Sequence, residues 1–453
     1  MCGIVGFYNV SDLKNRSDDG LTLLQHRGVE GTGVFATQLD GSDFFYFRKN
    51  DPVEDFCESN EFLQWQDNAA RIAIAHVRFG TSGSPADMRN VQPFMHLTRW
   101  GKMAVAHNGD TLNANAVCRK FLDQGMVLES DSDSELFLCA IANTDAENVF
   151  DAIAGVLART RGTFSLLIMG EGWLVAARDP WGNRPLSVAT LEEGWVVASE
   201  TVAHDVLRAK ILRDVEPGEM LVFVDGVMAS RHFAHSAKLH QCVFEKTYLS
   251  RPDSVVFGQT VADFRRRIGR FMSQVVPRYP NEIIVPIPDS GVLYGEGFAE
   301  ERGMSPKHGL VRSHYGGRSY IKPGQKRREK SVRRKFNPIR SDIKGKAVIL
   351  IDDSIVRGTT SRKIVRMIRG AGAEQVVFVS CFPPVTGQCH YGVCIDEDLI
   401  AVGRSIEEIR VEIGADELYY PSAEDYKKLT GDPHNHCFAC FDSVYPTLIN
   451  ITS

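Results

Sequence analysis

A chain of 453 residues exceeds what one hydrophobic core ordinarily holds, so two or three domains are expected. Its 43% hydrophobic and 24% charged residues are those of a globular protein, and a net charge of -5 gives no global reason to expect nucleic acid or a membrane as partner. No run of about 18 apolar residues occurs and no basic-then-apolar segment precedes Cys2, so a cytoplasmic location is expected. There, the ten cysteines serve as core, metal ligands or nucleophile rather than as disulfide staples.

Cys2 follows the initiator methionine directly in MCGIVGFY. Removal of Met1 makes Cys2 the N-terminus, with an α-amine titrating near ~7.7–8.0 beside a thiol titrating near ~8.5. Nucleophile and base then share one residue, the terminal amine taking the place of histidine. Position alone favours the plainer reading, a small buried cysteine on a first strand.

Short alternating apolar stretches follow up to about residue 240: IVGFYNV, TGVFATQL, DFFYFRK, RIAIAHVRFG, MAVAHNG, TFSLLIM, WLVAAR, WVVAS and MLVFVDG. They predict strands of mostly antiparallel sheets, interrupted by helices around Asp133–Asn143 and Glu147–Arg159. Polar clusters lie between them: LQHRGVEGTG (24–33), HVRFGTSG (76–83), HNGD (107–110) and DSDSE (131–135). His26 and Arg27 more readily order a loop than touch a substrate. Gly80 and Gly83 beside Arg78 call for close backbone approach.

Together with MCGIVG, RDPWGNRPL (178–186) and ASETVAHDVL (198–207), these clusters resemble the glutaminase domain of the N-terminal-nucleophile amidotransferases over residues 1–235. The resemblance implies an α+β sandwich of αββα layers. It makes Cys2 the nucleophile that attacks the glutamine side-chain amide, its own amine shuttling the proton. It gives the oxyanion hole to Asn108 and the Gly109 N–H, the substrate α-carboxylate to Arg78 and the α-ammonium to Asp133. One departure stands out: the family commonly reads HNGN, whereas this chain reads HNGD, which adds the charge of Asp110 near that site.

From about residue 240 apolar runs alternate with helical stretches, as in EIIVPIP then GVLYGEGFAEERG, which predicts a parallel sheet covered on both faces. The centre is VILIDDSIVRGTTS (348–361), an apolar strand ending in two carboxylates and a loop of glycine and hydroxyl residues that enters a helix. Ligands bind at the carboxyl ends of such strands, and a helix N-terminus offers free N–H groups to a phosphate. Paired aspartates suit a ribose diol or a Mg²⁺ held partly through water.

This pattern resembles the type I phosphoribosyltransferases, over residues 236–453. The resemblance gives PRPP to Asp352, Asp353, Ser354, Arg357, Gly358, Thr359 and Thr360, and Mg²⁺ to Ser290, Asp352 and Asp353, with VPIPDSG (285–291) on the pyrophosphate side. Upstream, residues 318–340 hold ten Lys or Arg. Alone such a run suggests a nucleic-acid patch or a solvated arm; before a phosphate loop it suits closure over a pyrophosphate.

Glutaminase and phosphoribosyltransferase halves together resemble the glutamine PRPP amidotransferases, which use PRPP, glutamine and water to make 5-phosphoribosylamine, glutamate and pyrophosphate at the first committed step of purine synthesis. Family resemblance adds purine nucleotide inhibitors and a homotetramer. HNHCFACF (434–441) resembles the C-terminal end of the iron-sulfur subclass, whose ligands here are Cys242, Cys389, Cys437 and Cys440, suiting a 4Fe-4S cluster. Zinc on the same thiols is the second reading, and Cys394 is a decoy. Two alternatives of other classes remain, a PRPP-sensing nucleic-acid-binding regulator and a catalytically weakened paralogue.

Overall fold

The computed structural model describes residues 1–453 except 67–68, 81–83, 85, 124, 237, 314–335, 396–397 and 446–453. Gly83 and most of the basic run thus lie outside the described residues. A seven-stranded sheet runs Lys210–Asp214, Ser187–Leu191, Gly194–Ala198, Gly3–Tyr8, Ile72–Arg78, Gly31–Thr37 and Phe44–Lys49. A six-stranded sheet runs Val227–His232, Glu219–Val224, Trp173–Arg178, Gly162–Gly170, Gly101–Thr111 and Phe94–Thr98. All neighbours in both sheets are antiparallel.

The strand Gly3–Tyr8 shows why the sheets layer. Successive side chains point to opposite faces. Ile4 and Tyr8 meet Ile74, Leu167 and Ala176 between the sheets. Val5 and Phe7 face outward onto Leu21, Leu24 and Ala203, from the helices Leu13–Leu24 and Thr201–Val206. The six-stranded sheet is covered in turn by Leu138 and Ile153, on Glu135–Ala142 and Val149–Arg159. The result is the expected αββα sandwich.

Further along, four parallel strands stand in the order Glu282–Pro286, Ala347–Asp352, Gln375–Ser380 and Glu417–Tyr419. Ile349 and Ile351 bury against Phe264, Ile268 and Phe298, on the helices Val261–Val275 and Val292–Glu301. Val348 and Leu350 bury against Ile364, Ile368 and Ile409, on Thr359–Gly370 and Ile406–Ile413. Both faces of the sheet are therefore apolar, as a parallel sheet requires. A separate two-stranded parallel ribbon pairs Gln241 with His436 and Cys242 with Cys437.

Candidate active site

Strand register assembles the first site. Gly3 pairs with Val77, which brings Cys2 beside the end of Ile72–Arg78. Cys2, Arg78, Gly109 and Asp133 line one small cavity. The Cys2 thiol lies 3.6 Å from the Phe79 carbonyl oxygen, and burial pushes it up. Burial also pushes the N-terminal amine, carried here by Met1, down to about 5, so at neutral pH it is a free base. Arg78, buried, donates to the Ser84 carbonyl at 3.1 Å. Asp133 accepts from the Thr111 N–H at 2.9 Å and from the Ser134 hydroxyl at 3.2 Å.

Gly109 is pressed against the next strand: a Cβ there would stand 2.0 Å from the Thr163 carbonyl oxygen. Asn108 is fully buried, and neither its Nδ2 nor its Oδ1 has a hydrogen-bond partner. Asp110 is the exception to the expected charge. Burial, with the negative charge of Asp133 beside it, pushes its carboxyl up to about 7. Below that pH it carries a proton and resembles the neutral asparagine common in the family.

Arg27 orders the backbone, as the loop reading expects: its Nε donates to the Cys2 carbonyl at 2.9 Å. His96, Glu135 and Cys139 also gather within 4.8 Å of one another, a spacing compatible with a metal. The Glu135 oxygens are already occupied, by Glu129 N–H at 2.9 Å, Ser130 N–H at 2.8 Å, the Ser130 hydroxyl at 2.6 Å and His96 at 3.0 Å. The group works as a clamp on the loop that carries Asp133.

The second site lies where the strand Ala347–Asp352 meets the helix Thr359–Gly370. Asp352 and Asp353 are both buried, and burial together with their mutual repulsion pushes Asp352 well above the carboxylate range. The Ser290 hydroxyl donates to Asp352 at 2.9 Å and the Ser354 hydroxyl to Asp353 at 2.6 Å. Gly358 caps the helix with φ 69°, a left-handed backbone open to glycine. Arg357, Thr359 and Thr360 are exposed beside it, whereas Ser361 turns into the core.

A family model described as a glutamine amidotransferase domain matches residues 76–205. The amidophosphoribosyltransferase of Methanocaldococcus jannaschii is 37% identical over 471 residues, covering 99% of this chain and 98% of its own. That of Bacillus subtilis is 37% identical over 456 residues, with 99% and 94% covered. The chain belongs to the amidophosphoribosyltransferases. A solved structure of the Bacillus subtilis glutamine PRPP amidotransferase, complexed with ADP and GMP, superposes at a TM-score of 0.91 with 36% identity, covering 98% of this chain and 97% of that one. No helix among the described residues is long and apolar enough to cross a membrane.

In this amidophosphoribosyltransferase the four cysteines named from sequence converge. Cys242 and Cys437 sit side by side in the ribbon, and the Tyr391 N–H points at the Cys389 sulfur at 3.4 Å. Cys440 feels the charge of all three. Cys394 is exposed. Sequence reading missed the buried charges Glu200, Arg184 and Glu245. Their only signal was charged residues set inside ASE, GNRP and VFEKTY, among apolar neighbours.

Proposed function

We propose that the chain joins two reactions, glutamine hydrolysis at the first site and phosphoribosyl transfer at the second, giving 5-phosphoribosylamine, glutamate and pyrophosphate. The observation that carries this is the meeting of Cys2, Arg78, Gly109 and Asp133 around one cavity, with a separate aspartate pair at the end of a parallel strand. With Met1 removed, the Cys2 amine takes the thiol proton, and sulfur attacks the glutamine amide carbon. Ammonia leaves, and water hydrolyses the thioester to glutamate. The developing oxyanion is received by the Gly109 N–H and Asn108 Nδ2; the unpaired buried amide of Asn108 supports this. Arg78 takes the α-carboxylate and Asp133 the α-ammonium. Ammonia then attacks ribose C1 and pyrophosphate departs.

At the second site, Asp352 and Asp353 hold the ribose hydroxyls, while Ser354, Arg357, Gly358, Thr359 and Thr360 surround the 5-phosphate. Buried paired carboxylates and a hydroxyl form an oxygen-only donor set that fits Mg²⁺, with Ser290 reaching it through Asp352. Bound there, the cation offsets charge on the leaving pyrophosphate.

Cys242, Cys389, Cys437 and Cys440 fit a 4Fe-4S cluster better than zinc. Tetrahedral zinc with sulfur at ~2.3 Å draws its four sulfurs to about 3.8 Å apart. Among the described residues no three of these thiols lie within 4.8 Å of one another, and a cubane spreads its ligands wider. The cluster is structural, tying the tail to the junction. ADP and GMP on the Bacillus subtilis relative support purine nucleotide inhibition here. A homotetramer in the cytoplasm is carried over with the family, and nothing in the relatives favours a nucleic-acid-binding regulator.

The test is phosphoribosylamine formation with glutamine and, separately, with ammonia. Cys2→Ser should abolish the first and leave the second within about twofold of wild type, because the nucleophile serves glutamine alone. Retained glutamine use would show that Cys2 is not the nucleophile.

A further inference from the structure

Two walls of the Cys2 cavity are held in place from the second half of the chain. The Cys2 carbonyl accepts from Arg27 Nε at 2.9 Å. The remaining Arg27 nitrogens grip Glu200 at 2.5 Å and Glu245 at 2.9 and 3.1 Å. Glu245 also receives Arg184 Nη1 at 3.2 Å, and Arg184 Nε donates to the Tyr391 carbonyl at 3.0 Å. One residue on, Gly392 has φ +90° and lies against the oxyanion strand: a Cβ there would stand 2.8 Å from the Gly109 oxygen and 2.9 Å from its carbonyl carbon. The Thr163 hydroxyl, across the strand pair from Asp110, closes the loop by donating to the same Tyr391 carbonyl at 3.1 Å.

Cys2 and Gly109 thus stand at the two ends of one continuous buried path. All four ionic side chains along it, Arg27, Glu200, Glu245 and Arg184, are 0% exposed. Two positive charges face two negative ones, so the set is neutral, and removing one charge leaves its partners uncompensated in a dry setting. Glu245 does not line the cavity. It therefore has no direct part in glutamine chemistry.

We infer that Glu245 and Gly392 are positioning residues for glutamine cleavage: Glu245 sets the nucleophile's backbone through Arg27, and Gly392 sets the height of Gly109. This rests on the nucleophile reading of Cys2 given above. Nucleophile and oxyanion donor must be placed to a fraction of an ångström, and a small misplacement lowers turnover more than binding. The glutamine site is in this sense completed by the transferase half.

The experiment uses the full chain as Glu245→Gln, Gly392→Ala, Cys2→Ser and wild type. Glutamine-dependent kcat should fall about 10- to 100-fold in Glu245→Gln and Gly392→Ala. The KM for glutamine and the ammonia-dependent rate of the same preparations should stay within about twofold. That ammonia rate also reports folding, because a merely structural role lowers both reactions together. Parallel loss of both, a change confined to KM, or no change in either variant overturns the inference while Cys2→Ser still loses glutamine use. Glutamine use retained by Cys2→Ser overturns the inference and the nucleophile reading together.

Discussion

Arg78 lines the Cys2 cavity and Asp110 follows Gly109 on the neighbouring strand, and the two predict opposite kinds of effect. Arg78 is proposed to grip the α-carboxylate of glutamine, so Arg78→Ala should raise the KM for glutamine about 10- to 100-fold, the worth of a charged hydrogen bond. Ammonia-dependent turnover should be unchanged, as steady-state rates with each nitrogen source will show. Asp110 carries a stability cost. Its carboxyl titrates at about 7 in the fold against 3.8 in an unfolded chain, so between those values the native state holds a proton that the unfolded state has released. Stability is then lost as pH rises from about 4 to about 7, by roughly 3 to 4 kcal/mol at ~1.36 kcal/mol per unit. Asp110→Asn escapes that loss. Thermal unfolding of variant and wild type should nearly coincide at pH 4 and separate by pH 8, with Asp110→Asn the higher; coincidence at both values would place the carboxyl in water.

The strand Ala347–Asp352 carries a similar trade at the level of an element. It leads two carboxylates into the same buried corner, where they repel each other, a cost that the proposed diol or cation would offset. Asp352→Asn should lower glutamine- and ammonia-dependent rates together, by tenfold or more, while Tm stays level or rises. Selective loss of the glutamine reaction would contradict that placement. This strand and the loop after it were plain in the sequence, because a β-branched run, paired acids and GTT are all local signals. The alternation in RIAIAHVR and TFSLLIM revealed the central strands of the sandwich for the same reason. Edge and connecting elements were harder to see: Ser187–Leu191 and Lys210–Asp214 are short, and the amphipathic helix Val261–Val275 reads as a charged stretch, VADFRRRIGRFMSQV. The pairing of Arg27 with Glu245 spans 218 residues. Periodicity carries no trace of a contact at that range, and a buried ion pair is spelled with the same letters as a solvated one.

Across the whole molecule, the four cysteines bring together the ribbon at the junction, the loop after Gln375–Ser380 and the tail, where the proposed cluster would tie them. Protein prepared without oxygen should be brown and hold about four irons per chain. Cys437→Ser or Cys440→Ser should give colourless or insoluble protein, since a cluster that cannot form in the unfolded chain contributes to folding; Cys394→Ser should keep the colour. Iron analysis and visible absorbance decide this, and a zinc-loaded colourless protein of full activity would remove the cluster while leaving both reactions intact. The ribbon that seats Cys242 beside Cys437 also fixes an order in time. At ~5–20 residues per second, a ribosome takes roughly 10 to 40 s to travel from Cys242 to Cys440. Through that interval the nascent chain carries an unmatched thiol, and for most of it the sandwich half, already long enough to collapse, lacks Tyr391 and Gly392 against Thr163 and Gly109. The Cys2 cavity is thus among the last parts of the protein to take its final form, although the strands that line it are made first.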